Sequence, residues 1–295
     1  MKRIFLFLLT NIAVVLTLAI VAQLIGLNRY LYGSGLNITM LLIFALFMGF
    51  TGSLVSLLLS KKMALWSTGA QIIVNPSNQA EQWLLKRVSD YAARAGIDTP
   101  DVAIYESDEP NAFATGAFRN QALVAVSTGL LQNMNESEVS GVLAHEVAHI
   151  SNGDMITMTL IQGVVNTFTI FMARVIGFIV DRIILKNDNN YGLGYYVTVM
   201  VSELILTLLG SIVVMWFSRM REYRADEGSA QLSSPQDMIH ALQKLQYLTD
   251  AHQANALPKS MATMGISGSS SLLGLFKTHP DLNDRILNIK NKFHI

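Results

Sequence analysis

Asn135-Glu136-Ser137-Glu138-Val139-Ser140-Gly141-Val142-Leu143-Ala144-His145-Glu146-Val147-Ala148-His149 is the stretch on which the reading of this chain turns. Asn135 followed three residues later by Glu138 is a capping-box signature, so a helix begins here. His145 and His149 stand four apart on it and share one face, where two imidazoles can bind a single Zn²⁺. Glu146 lies about 100° further round the helix. There it reaches the fourth ligand, a water, instead of the metal. Zinc lowers the pKa of that water towards about 7, and the carboxylate takes its proton as the oxygen attacks a peptide carbonyl. A zinc peptidase requires that division of labour. The competing explanation is a chance H-E-x-x-H on a solvated helix, and the capping signal weighs against it.

Catalytic zinc takes three protein ligands and keeps one position open. The chain has no cysteine, so the ligands come from His, Asp, Glu or water. No third histidine follows soon after His149, which points to a carboxylate from elsewhere. Glu222, in Arg221-Glu222-Tyr223-Arg224-Ala225-Asp226, is the candidate. Asp226 is one helical turn on and can accept the second ring proton of a liganding histidine. The same hexapeptide also fits a solvated helix face of mixed charge, and spacing alone does not separate the two readings.

Further out, the chain turns apolar on both sides of the motif. Of its residues 51% are hydrophobic and only 14% are charged, where a soluble protein carries about 25%. The runs 4–28 and 36–60 each exceed the roughly 20 residues that cross a bilayer as helix. Lys2 and Arg3 before the first run also suit a signal peptide, but its apolar core is too long and a second run follows at once. The runs 155–180, with Gln162, Asn166 and Arg174, and 195–218, with Glu203, read as spans or as buried core helices. Since His149 and Glu222 must meet, either both of these runs cross or neither does.

Basic flanks set the orientation. Lys61 and Lys62 follow the second run, and Arg219, Arg221 and Arg224 follow the fourth. The positive-inside rule then puts both termini and the catalytic part in the cytoplasm. Four segments result: a transmembrane hairpin over 1–60, the first part of a cytoplasmic catalytic domain over 61–154, a second hydrophobic hairpin over 155–218, and the second part of the catalytic domain over 219–295. The net charge of zero offers no field to attract nucleic acid.

The polar parts contain short strands at 71–74, 101–105, 111–115 and 122–127, read from their alternation and clustering. Asn78 with Glu81 gives a capping box for a helix that Gly96 terminates. After the fourth run comes a helix over about 219–232, and Ser234-Pro235 starts another. The stretch 265–274, rich in Gly and Ser, reads as a loop. The fold class is α+β and predominantly helical: four hydrophobic helices joined to a metal-binding domain with a small sheet.

Over essentially its whole length the chain resembles the bacterial HtpX-type heat-shock membrane proteases, relatives of the CaaX prenyl proteases. The likeness rests on Asn111-Ala112-Phe113-Ala114-Thr115-Gly116, on Val124 to Leu131, on Ala144-His145-Glu146 through His149 with Asn152-Gly153-Asp154, on Trp216-Phe217-Ser218-Arg219, on Glu222 to Asp226, and on Thr278-His279-Pro280. It implies a gluzincin-type domain with one Zn²⁺ per chain held by His145, His149 and Glu222, with Glu146 as base and Asp226 behind a ligand. It further implies a multi-pass protein of the bacterial inner membrane that cleaves misfolded or damaged membrane proteins, or unfolded polypeptides, under envelope stress. Asn111, Ala112 and Phe113 resemble the edge strand on which such proteases lay an extended substrate, and an ordinary sheet strand is the alternative. His279 resembles a donor to the developing oxyanion, with Arg285 as a positioning charge; a capping histidine fits equally.

Three other classes compete with this endopeptidase. A dedicated CaaX-type processing peptidase needs more spans than four. A non-catalytic zinc-binding scaffold needs a fourth protein ligand. A transporter has only Gln162, Asn166 and Glu203 to recommend it, with no inverted repeat.

Overall fold

In the computed structural model, residues 37–187, 191–256 and 279–295 are described. The expected span 4–28 and the Gly/Ser-rich loop at 265–274 lie outside them. The described elements are helix α1 (Ile38–Thr68), β1 (Gln71–Ile72), α2 (Gln79–Ala95), β2 (Asp101–Tyr105), β3 (Ala112–Thr115), β4 (Leu123–Ser127), α3 (Thr128–Asn133), α4 (Glu136–Asn152), α5 (Asp154–Ile179, extended by a π turn over Val180–Ile184), α6 (Leu193–Leu232), α7 (Pro235–Ala256) and α8 (Leu282–Phe293). Contacts divide the chain into two units, one of Met1–Val55 with Thr159–Val214 and one of Ser56–Met158 with Met215–Ile295.

The first unit contains the apolar parts of α1, α5 and α6, which are the three described helices long and apolar enough to cross a membrane. Leu41, Leu42 and Ala45 of α1 pack on Phe171, Val175 and Phe178 of α5. Away from such contacts, α6 exposes Leu204, Ile205, Leu208 and Leu209, the surface expected of a helix solvated by lipid. Its polar residues find one another. Gln162 donates to Asn166 at 2.8 Å, Asn166 donates to Ser53 at 3.3 Å, and Arg174 pairs with Glu203 at 2.7 Å. A polar group in hydrocarbon has no water to turn to, so internal partners stabilise it.

The second unit is layered. A four-stranded sheet has the order β1-β2-β4-β3, with β2 and β4 parallel and the other two pairs antiparallel. Val102, Val124 and Val126 from one face of the sheet meet Leu84 and Val88 of α2, Leu143 and Val147 of α4, Ala225 of α6 and Ala241 of α7. Helix α4 is thus covered all round, and every residue from Val139 to Ile150 is buried. That placement takes His145, Glu146 and His149 out of bulk water.

Three local expectations change. Helix α6 runs unbroken from Leu193 to Leu232, so the helix expected over 219–232 is the continuation of the fourth apolar run. Nothing between Ser218 and Arg219 carries a stop signal, and both halves favour helix. At the start of α2, Asn78 caps the Glu81 N–H, but the Glu81 carboxylate accepts from the Ser77 N–H and not from the cap residue's own. The first strand shortens to Gln71–Ile72, because only these residues find register partners on β2. At α4 the full capping box of Asn135 and Glu138 is present.

Candidate metal centre

Two helices of the second unit bring the polar cluster together. Helix α4 ends at Gly153, whose φ of 66° lies in the left-handed region and reverses the chain. Helix α6 lies against α4 closely enough that a Cβ on Gly228 would stand 2.7 Å from the Ala148 Cβ. Ser229 of α6 also donates to the Gly141 carbonyl at 2.8 Å. About two turns before these contacts, α6 carries Glu222 to the imidazoles.

The donor atoms converge. His145 Nε2 and His149 Nε2 are 3.1 Å apart, and the rings meet edge to face. The Glu222 carboxylate straddles them, with Oε2 3.5 Å from His145 Nε2 and Oε1 3.4 Å from His149 Nε2. A tetrahedral zinc with bonds of about 2.0–2.1 Å separates its ligand atoms by roughly 3.3 Å. The Nε2–Nε2 distance and the distance from each imidazole to its nearer Glu222 oxygen are close to that figure, each ring facing a different carboxylate oxygen, and one donor atom from each residue can be chosen so that all lie within 4.8 Å of one another. Glu222 is only 1% exposed, and its buried Oε1 makes no hydrogen bond among the described residues, with Arg221 Nε standing 3.5 Å away as a longer ion-pair contact. A buried carboxylate oxygen without a donor is costly unless a cation completes it.

The far sides of the rings are held by carboxylates. His149 Nδ1 lies 2.7 Å from Asp154 Oδ2, which fixes the proton on Nδ1 and leaves the Nε2 lone pair for a metal. His145 Nδ1 lies 2.9 Å from Asp226 Oδ1, an ion-pair contact and not a straight hydrogen bond. Arg285 of α8 grips Asp226 with a two-pronged contact, Nε to Oδ2 at 2.8 Å and Nη2 to Oδ1 at 2.6 Å. Arg285 is itself buried, so the fork faces the protein interior. His279 Nδ1 sits 2.9 Å from Glu222 Oε2 while its ring stays largely exposed.

In these contacts each imidazole faces carboxylates and each carboxylate faces cationic groups. Burial alone would lower the His149 pKa, but the Asp154 and Glu222 carboxylates overcome it and raise the imidazole to about 9. Burial likewise opposes the upward shift of His145, which Asp226 and Glu222 impose. For Glu222, burial pushes up, yet the close approach of the His145, His149 and His279 rings holds the carboxyl far below the usual range. A site that draws protons onto its imidazoles in this way draws a divalent cation by the same field.

Glu146 is buried, and its charge acts on His149, Arg285 and Tyr105. The strand residues Ala112 and Phe113 stand on β3 at one end of the sheet order, with the Phe113 ring tilted against that of Tyr105 at a centroid distance of 5.7 Å. Asn111 precedes that strand; its N–H donates to Ser127 Oγ and its carbonyl accepts from the Ser127 N–H. Sequence reasoning missed Asp154 as a partner of His149. The available signal was an acid directly after a helix-ending glycine, five residues beyond a metal-binding histidine.

The profile of peptidase family M48 matches residues 78–292. The chain is 56% identical over 294 residues to the protease HtpX homolog of Bordetella pertussis, covering 99% of both chains. It is 53% identical over 293 residues to the protease HtpX homolog of Janthinobacterium sp. (strain Marseille), again covering 99% of both. Its fold is similar to that in the crystal structure of S. mikatae Ste24p, with a TM-score of 0.56, 19% identity, and coverage of 96% of this chain and 66% of that one. A buried cluster of two imidazoles and a carboxylate, three membrane-length helices among the described residues and the near-full-length likeness to the HtpX homologs agree, and the chain belongs to peptidase family M48 as a membrane-bound zinc metalloprotease.

Proposed function

We propose that His145, His149 and Glu222 hold the zinc and that Glu146 is the general base of an endopeptidase acting on misfolded or damaged membrane proteins. The observation that carries the assignment is the convergence of two Nε2 atoms 3.1 Å apart beneath one straddling carboxylate. Zinc held there supplies Lewis acidity, polarising the scissile carbonyl and acidifying water. Glu146 takes the proton of the attacking water and passes it to the departing amine. Asp154 and Asp226 keep the imidazoles turned with Nε2 inward, and Arg285 keeps Asp226 ionised and in place. His279, fixed by Glu222, stands at the exposed side of the cluster, where it can donate to the oxyanion.

Two features support a membrane-protein substrate. β3 lies at an end of the sheet order, so an extended polypeptide can add to it through main-chain hydrogen bonds with little regard to side chain. Glu222 also stands four residues beyond the apolar run 195–218 on one unbroken helix, about 6 Å along its axis. Cleavage therefore takes place close to the bilayer surface. The basic flanks Lys61, Lys62, Arg219, Arg221 and Arg224 support a cytoplasmic catalytic domain made of 61–154 and 219–295.

The test is casein cleavage by the detergent-solubilised chain, with and without a chelator, for wild type and Glu222→Ala. Wild type cuts and is silenced by the chelator, and the variant does not cut. Chelator-resistant cleavage, or an active variant, refutes the assignment.

A further inference from the structure

We infer that a cleft at the membrane-proximal part of α1 binds the phosphate headgroup of an anionic phospholipid. The cleft has a volume of about 480 Å³, within the roughly 300–1,000 Å³ typical of small-ligand sites. Leu58, Lys61 and Lys62 line one side, and Asp101, Phe118 and Gln121 are among the residues opposite. It shares no residue with the metal cluster.

Its chemistry is graded along the helix axis. Leu58 belongs to the apolar run 36–60, and Lys61 and Lys62 follow directly after it. From Leu58 to Lys62 is about 6 Å. The headgroup layer on one side of a bilayer is about 5–7 Å thick. The cleft therefore faces lipid chains at one end and phosphate at the other. At the chain end, Leu58 and Phe118 are both exposed and offer an apolar lip.

The two lysines differ in what they can bind. Lys61 Nζ is held 2.6 Å from Asp101 and also reaches the Gln121 carbonyl at 3.4 Å. Lys62 is exposed and has no carboxylate partner among the described residues, so its charge is available to an anion. A zwitterionic choline headgroup brings its own cation to the lysine, whereas a glycerol headgroup brings only the phosphate and hydroxyls. The site therefore favours the anionic lipid.

The experiment is native mass spectrometry of the full-length chain in detergent, titrated with phosphatidylglycerol, with phosphatidylcholine, and with inorganic phosphate. Wild type retains phosphatidylglycerol in preference to phosphatidylcholine. Lys62→Gln weakens that retention about fivefold, the contribution of one lysine at an anionic surface, while Lys290→Gln on the exposed part of α8 leaves it unchanged. Asp101→Asn, which frees Lys61, strengthens it, a direction that misfolding does not mimic. Equal retention of the two lipids, equal loss in the two lysine variants, no gain in Asp101→Asn, or displacement of the lipid by millimolar inorganic phosphate would each overturn the inference.

Discussion

At the residue scale the account concerns which atoms carry protons when zinc is absent. His149 is raised to about 9, so at neutral pH the metal-free imidazole is protonated. Zinc must displace that proton, and its apparent affinity therefore falls as pH falls, by about tenfold per unit below pH 9 for each proton released. Isothermal titration between pH 6 and 8 in buffers of different ionisation enthalpy measures both the slope and the protons released; a flat profile contradicts it. Asp154→Asn removes the carboxylate behind His149, and zinc affinity drops about 10- to 100-fold without loss of helix content. Competition with a chromophoric chelator reads that loss. Helical periodicity was enough to place His145, Glu146 and His149, because a four-residue spacing fixes a shared face. Asp154 escaped because its contact depends on the left-handed turn at Gly153, which has no period.

At the element scale, α4 and α6 must approach closely for Glu222 to reach the imidazoles. Gly228 stands at one close approach, where an added Cβ would lie 2.7 Å from that of Ala148. Gly228→Val forces the helices apart and costs about 1–3 kcal/mol of stability. The same displacement draws Glu222 from the metal, so zinc content falls in preparations whose far-ultraviolet circular dichroism is that of wild type. Full zinc content in this variant would show that the helix spacing does not govern the site. The capping box at Asn135 and the αL stop at Gly96 were legible because each is a local, short-range signal. The unbroken course of α6 was not: a change from apolar to charged residues looks like a boundary in sequence, yet the backbone hydrogen bonds of a helix are indifferent to it. From sequence, Arg174 and Glu203 could pair with each other or lie near helix ends, and the structure pairs them; the partners of Gln162, Asn166 and Ser53 became visible only when the helices were placed side by side.

At the scale of the whole molecule, the candidate ligands on α4 and α6 are separated in sequence by α5 and the apolar part of α6, so they share one side of the membrane if both segments cross or if neither does. The absence of cysteine makes this testable with single introduced thiols. In spheroplasts, an impermeant maleimide labels Lys186→Cys in the connection after α5 and spares Lys244→Cys on α7 until the membrane is opened. The reverse pattern would invert the topology. Layer order and sheet register were beyond the sequence, since β2 and β4 pair in parallel across an intervening strand and no local signal announces that crossover. The central claim, that a late glutamate completes a three-ligand zinc site, is tested most directly by the zinc-to-protein ratio of purified, dialysed chain measured by inductively coupled plasma mass spectrometry. The account expects about one zinc in wild type and in Glu146→Gln, and close to none in Glu222→Ala. A Glu222→Ala protein that keeps its full complement of zinc would contradict it.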